Sequence, residues 1–348
     1  MSDVLIECVP NISEGKDLKV IDAIVDSARS VDGAFVLGCE PDSDYNRTVI
    51  TIAGKPKAVI QAAYNLIIKS SELIDMRKHS GNHPRMGAVD VCPFVPLSEH
   101  SMDYCVQASR ELSNLLGDNI PHFFYGEAAT KEKRKSLSSL RKLEYEGLES
   151  RFNGDEWNDE ETRMPDSWSG NWGETEKRFG AVAIGARSVL VAYNVNVDEI
   201  DARASKIAGS MIRTSGRLIK NGKKKFRIPG MLKHVQGMGV PLPASSISQV
   251  SMNLQNVSVT SMHMAFEAVK SIVNDHEINT CGSELVGLVP LSAMIDTGKW
   301  FNDNPDNATE KELVDSAIKG LGLDYLKPFD PQVSIIEWAL NKEVGNNE

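Results

Sequence analysis

LIDMRKHSGNHPRMGAVDVCPFVP, residues Leu73–Pro96, carries two histidines and two arginines between apolar flanks. Its interior is too polar for a core element. His79 and His83 are four residues apart, but Gly81 lies between them and Pro84 follows, and both oppose a continuous helix. The stretch is therefore an ordered loop between a predicted helix and a predicted strand, the place where a scaffold usually carries its chemistry. The strand, Val89 to Val95, contains Pro93, which predicts an edge position or a bulge.

Upstream, strands and helices alternate. Val4 to Cys8 reads as a strand, Pro10 to Gly15 as a turn and Lys16 to Ser30 as a helix with Val20, Ile21, Ile24, Val25 and Ala28 on one face. Ala34 to Cys39 and Thr48 to Ala53 read as strands of a hairpin-like return around a polar loop. Lys57 to Ser71 repeats the helical pattern.

Downstream, Met102 to Leu116 is predicted helical and His122 to Tyr125 a short strand closed by Gly126. Ala128 to Arg151 has helical propensity and a charge density that predicts a solvated element. From Asn153 to Gly180 periodicity fades, and Trp157, Trp168 and Trp172 punctuate a long irregular segment; the aromatics favour a functional loop over a plain linker. Ser188 to Val197 alternates, with Val189, Val191, Tyr193, Val195 and Val197 on one face and Asn194 and Asn196 on the other. A helix over Asp198 to Thr214, with Ile200, Ile207 and Met211 as its stripe, precedes a basic hairpin, Arg217 to Arg227. Strands near Leu232 to Val240, Ser248 to Val257 and Val286 to Leu291, with a helix at Thr260 to Asn274, complete a second unit, and the last stretch reads as helical.

The fold class is thus α/β (α+β), with two subdomains, each a mixed sheet covered by helices. The expected divisions are 1–180, 181–300 and a helical extension at 301–348. At 348 residues and 41% hydrophobic content the chain can bury such cores. A net charge of -10 argues against nucleic acid and anionic membrane as partners. No apolar run is long enough for a membrane span, and the N-terminus lacks signal-peptide flanks, so a soluble, cytoplasmic protein is expected. The five cysteines are scattered and form no CxxC pair, which predicts buried thiols rather than a zinc or redox site.

For His79 and His83 the chemical reading is acid–base catalysis, because imidazole titrates near neutral pH; the plain alternative is structural hydrogen bonding. A metal is not expected, since the HxxxH pair lacks a helix, an intervening Glu and a third ligand. Arg47 and Arg85 sit in loops where a guanidinium can clamp a carboxylate or merely stay solvated. Asp90 can orient a histidine, receive a proton or accept backbone hydrogen bonds at the loop exit. Residues alone give a histidine-based enzyme for an anionic small molecule, with the reaction open.

The segments ECVPNISEG (Glu7–Gly15), NRTV (Asn46–Val49), HSGNHPRMGAVDVCPFVP (His79–Pro96), YGEAA (Tyr125–Ala129), GARSVLVAYNVNV (Gly185–Val197), QVSMNL (Gln249–Leu254) and GSELVGLVP (Gly282–Pro290) resemble the glutamate formimidoyltransferase family in order and spacing. That family also supplies the first half of formimidoyltransferase-cyclodeaminase. The resemblance implies formimidoyl transfer between N-formimidoyl-L-glutamate and tetrahydrofolate, in histidine degradation, with the folate as co-substrate between the two subdomains. It makes His83, the histidine before Pro-Arg-Met-Gly, the general acid–base. His79, Arg47, Arg85, Asp90, Asn194 and Asn196 then bind or orient substrate, as both substrates carry carboxylates. It places folate contact in PDSWSGNWGETEKRFGAVAIGAR, at Trp168, Asn171, Trp172 and Gly173, where this chain is longer than the family pattern and lacks its Gly-Pro pair. Either tryptophan can stack on a pterin or anchor its loop. The basic run Lys223 to Lys225 can meet a polyglutamate tail or form a solvated hairpin tip. A homodimer is implied. Formyl transfer to or from glutamate, and folate binding without turnover, are the alternatives.

Overall fold

The computed structural model describes residues 4–81, 83–97, 102–154, 157–222 and 224–346. The chain divides into two compact units, Met1–Ser188 and Val189–Glu348. The division falls later than the expected boundary after residue 180, because strand 182–186 belongs to the first sheet.

In the first unit the strands are β1 (Ile6–Cys8), β2 (Asn11–Ile12), β3 (Ala34–Asp42), β4 (Arg47–Gly54), β5 (Val89–Pro96), β6 (His122–Gly126) and β7 (Val182–Ala186). Among the described residues they form a mixed sheet ordered β1-β4-β2-β5-β7-β6, with β3 on β4 and β1 also on β5. β3 and β4 are the expected hairpin. β5 pairs antiparallel with β1 and β2 and parallel with β7, so it is central. Of the edge or bulge expected from Pro93, the edge is corrected, and an irregularity is present nearby, where the β2–β5 register shifts between Asn11 opposite Val91 and Ile12 opposite Val89. The Pro93 carbonyl accepts from Val9 N–H at 3.0 Å, at the gap where β5 passes from β2 to β1. A missing donor does no harm at that gap.

Helices Leu18–Arg29, Pro56–Leu73 and Met102–Leu116 cover one face of this sheet. Their spaced apolar residues, such as Ile21, Ile24 and Val25, or Val59, Ala63 and Leu66, are buried against Ile50, Ile52, Cys92 and Phe94. The charged segment 128–151 is not the solvated helix its propensity predicts. It breaks into short turns at 132–135, 137–140, 145–147 and 148–153. Leu143 and Glu144 both take positive φ, 63° and 53°, which a helix cannot hold. Arg134 and Arg151 are buried rather than solvated. Arg151 donates to the carbonyls of Arg163 at 3.0 Å, Leu140 at 2.8 Å and Thr162, so a cation serves as the knot of the segment.

In the second unit β8 (Val191–Val197), β11 (Val235–Leu242), β12 (Ile247–Leu254) and β13 (Thr280–Val286) make a sheet ordered β11-β12-β8-β13, and β9 (Arg217–Asn221) pairs with β10 (Lys224–Ile228) as the basic hairpin. Lys223 of the basic run lies outside the described residues. The alternation of β8 holds: Val191, Tyr193, Val195 and Val197 are buried in a core with helices 203–212 and 262–274. Three expectations change. Pro10 to Gly15 contains β2 rather than turn alone. The helix after β8 begins at Arg203, leaving Ile200 62% exposed; Ile207 and Met211 pack partly buried on the core, beside the buried Ala204, Ala208 and Ile212. The strand placed at Val286 to Leu291 is β13, ending at Val286, and Leu291 starts a helix. The chain after 301 is helical, with Glu310–Leu321 capped by Thr309 and Glu312. Among the described residues no helix is long and apolar enough to cross a membrane.

Candidate active site

The loop between helix Pro56–Leu73 and β5 is fixed from several sides of the first unit. Ile74 and Met76 are buried anchors, and Met76 N–H donates to the Arg178 carbonyl at 2.9 Å. Ser13 of the NISEG segment donates through Oγ to the Gly87 carbonyl at 2.7 Å. Asn46, at the mouth of β4, links two segments: its Oδ1 accepts from Gly15 N–H at 3.0 Å and its Nδ2 donates to the Ser80 carbonyl at 2.8 Å. The backbones approach so closely that a Cβ on Gly81 would lie 2.3 Å from the Tyr45 carbonyl oxygen. Only glycine allows that approach. Asn82 lies outside the described residues.

His79 has both ring nitrogens committed. Nε2 donates to the Asn46 carbonyl at 2.9 Å, so Nδ1 accepts from Arg85 Nε at 3.2 Å. Burial first, and the Arg85 charge as well, lower its pKa, although the Asn46 bond opposes them. His79 is a neutral, oriented ring.

His83 is different. Its Nε2 lies 2.8 Å from Arg47 Nη1. A guanidinium only donates, so Nε2 accepts and the proton resides on Nδ1. Nδ1 is buried with no well-formed hydrogen bond among the described residues; the Pro84 carbonyl is only a weak support for its proton. Burial, then Arg47 and Arg141, push the His83 pKa down to about 4 against a partial offset from Asp90. Tyr45 meets the ring edge-on at 6.1 Å between centroids. The result is a neutral imidazole whose Nε2 lone pair accepts from a guanidinium.

Asp90 is buried and does not orient a histidine. It accepts from Met86 N–H at 3.0 Å and pairs with Arg141, whose Nε lies 3.3 Å away. Its part is to brace the loop exit, the backbone-acceptor option of the sequence reading. Arg85, only 8% exposed at its side chain, is held by Glu146 bidentately, at 2.6 and 2.8 Å, and by Glu144 at 3.0 Å. A cavity of about 450 Å³ opens here, lined by His79, Ser80, Gly81, Arg85, Leu143, Glu144 and Glu146.

Arg47, His79, His83, Arg85 and Asp90 are thus gathered in one unit. Asn194 and Asn196 lie on the polar face of β8 in the other unit; Asn196 is fully buried, accepts from Gln249 Nε2 at 2.9 Å and leaves its own Nδ2 without a partner among the described residues. Trp168 and Trp172 pack edge-on against Phe152, at 4.9 and 5.3 Å, and remain partly exposed. Gly173 caps the short helix Glu174–Phe179. Asn46, Arg141, Glu144 and Glu146 are the site residues that sequence reasoning missed. Only Asn46 carried a signal, as the first residue of NRTV. Among the described residues no cluster of three or more His, Cys, Asp or Glu forms a metal site.

These features describe a bipartite α/β protein whose first unit carries a histidine–arginine site braced by carboxylates. Comparison with known proteins gives the family. Residues 5–187 match the formiminotransferase domain, N-terminal subdomain, and residues 192–341 match the formiminotransferase domain, so the chain belongs to that family. It is 33% identical to the glutamate formimidoyltransferase of Streptococcus pyogenes serotype M1, over 91% of this chain and 99% of that one. It is 36% identical to the glutamate formimidoyltransferase of Thermoplasma acidophilum, over 85% and 92% of the two chains. Against the formimidoyltransferase-cyclodeaminase of Rattus norvegicus the identity is 39% over 97% of this chain, which spans 60% of that protein's length.

Proposed function

We propose that this chain transfers a formimidoyl group between N-formimidoyl-L-glutamate and tetrahydrofolate, with His83 as general acid–base. The observation that carries the reading is the His83 Nε2 lone pair, held unprotonated 2.8 Å from the Arg47 guanidinium, in a chain of the formiminotransferase family. Arg47 supplies a carboxylate site for the glutamate part, and binding there uncovers Nε2. The folate N5 then attacks the amidine carbon, forming the new C–N bond; His83 takes the N5 proton and returns it to the glutamate nitrogen as the old C–N bond breaks. Glutamate leaves as the free amine. His79 and Asp90 hold the loop, while Asn194, Asn196, Trp168, Asn171, Trp172 and Gly173 are the folate and substrate contacts to be tested in turn. A cytoplasmic homodimer acting in histidine degradation fits this activity. Purified protein with both substrates should yield 5-formimidoyl-tetrahydrofolate by mass spectrometry. His83→Ala should lose about 10²- to 10⁴-fold in rate while keeping its circular dichroism; a fully active His83→Ala would overturn the assignment.

A further inference from the structure

We infer that Glu144, with Glu146 beside it, reads the cationic amidine of the donor and thereby selects formimidoyl over formyl groups. The inference rests on the transfer reaction proposed above and names the feature of the substrate that the cavity beside the loop recognises.

The cavity wall carries Arg85 and the two glutamates, against a His79 that burial keeps neutral near neutral pH. One guanidinium against two carboxylates leaves a formal charge of -1. The charges around His83 have the opposite balance, Arg47 and Arg141 against Asp90, or +1. N-formimidoyl-glutamate also carries both signs, a protonated amidine on its α-nitrogen and two carboxylates, one on the same α-carbon and one at the far end of the side chain. An N-formyl group is isosteric but neutral, and its oxygen can only accept. Facing a carboxylate it would find no donor, whereas the amidinium offers two N–H groups in a charge-assisted pair.

Of the two glutamates, Glu144 is the better reader. Glu146 is committed to the Arg85 fork through both oxygens. Glu144 contributes one oxygen to Arg85, leaving the other uncommitted among the described residues, and its side chain is 40% exposed. Its backbone sits at φ 53°, ψ -158°, a region that favours glycine. The turn is nonetheless pinned across Arg85 by Tyr145 N–H to the Arg85 carbonyl at 2.9 Å. A side chain kept at a strained position beside the site is consistent with a contact that glycine could not make. Gly81 in the cavity wall packs on the Tyr45 backbone, and the Tyr45 ring in turn meets the His83 ring at 6.1 Å between centroids, which links this wall to the proposed base.

The test is calorimetric binding of N-formimidoyl-L-glutamate and N-formyl-L-glutamate to the intact protein, Glu144→Gln and Glu146→Gln. The wild type should bind the formimidoyl compound at least about tenfold more tightly. Glu144→Gln, which keeps size and hydrogen bonding to Arg85, should bring the two dissociation constants within about threefold by weakening the formimidoyl compound alone; Glu146→Gln should do so to a lesser degree. A ratio unchanged in both variants, or an equal loss for both ligands, overturns the inference. Because binding is read without turnover, a wild type that discriminates but does not transfer would sink only the proposed reaction.

Discussion

Replacing Arg47 with methionine should raise the pKa of His83, and the size of the rise can be bounded. The guanidinium donates to Nε2 at 2.8 Å, and the ring titrates near 4 instead of its ordinary 6.5. Two unit charges about 4 Å apart interact by about 1 kcal/mol in water and about 4 kcal/mol at an effective dielectric constant of 20. At about 1.4 kcal/mol per unit, that spans roughly 0.7 to 3 pKa units. Burial is the larger cause of the depression, and Arg141 remains in the variant. The expected rise is therefore one to two units, to about 5–6, short of full recovery. Two-dimensional ¹⁵N spectra of the histidine rings, followed through an acid titration and assigned with His83→Gln, report both the pKa and the tautomer. In the wild type at neutral pH, Nε2 should be the unprotonated nitrogen. Saturating glutamate, which supplies carboxylates without a transferable group, should move the wild-type value in the same direction by drawing Arg47 off the ring. A His83 pKa that stays near 4 in Arg47→Met and with glutamate would refute the idea of a base capped by this cation.

Three other outcomes follow from the same geometry. His83, His79 and His122 all titrate below their ordinary value in the folded chain, with burial as the leading cause in each, so their neutral forms favour folding. That stability is present above about pH 6.5 and is lost as pH falls toward 4; for His83, after discounting its partly exposed ring, the loss is about 1–2 kcal/mol, measurable as a fall in urea midpoint that His83→Gln reduces. Gly15→Ala would put a Cβ 2.2 Å from the Asp42 carbonyl oxygen and 2.5 Å from Arg47 N, and should cost about 2–3 kcal/mol by thermal denaturation while raising KM for the glutamate donor, because Arg47 moves with its strand. Arg151→Met strips hydrogen bonds from the Arg163, Leu140 and Thr162 carbonyls and should cost about 3–5 kcal/mol in denaturant unfolding; a loss below about 1 kcal/mol would show that water replaces the guanidinium.

What the sequence disclosed depended on whether the governing interaction was local. Gly81 and Pro84 exclude a helix by their own backbone chemistry, and the structure has a loop there. The apolar stripes of helices 18–29 and 56–73 likewise record burial directly in their spacing. The cap on His83 could not be read, since Arg47 is 36 positions away and is delivered by the register of β4 and the Asn46 bridges. The same holds for Glu144 and Glu146, whose partner Arg85 is 59 and 61 positions distant. Charge density predicted solvation for 128–151, yet a guanidinium that satisfies backbone carbonyls can be interior, and composition does not distinguish the two cases. The helix after β8 shows a third kind of blindness. Its inner face is Ala204, Ala208 and Gly209 because it lies almost backbone to backbone on β11: a Cβ on Gly209 would meet Met238 C at 2.7 Å, and one on Gly239 would meet Lys206 N at 2.1 Å. Close approach selects small side chains, so a search for large apolar ones finds the exposed Ile200 and the partly buried Ile207 and Met211, which do pack on the core, but passes over the buried Ala204 and Ala208. Small-residue spacing is therefore the signal to seek wherever a helix must lie flat on an edge strand.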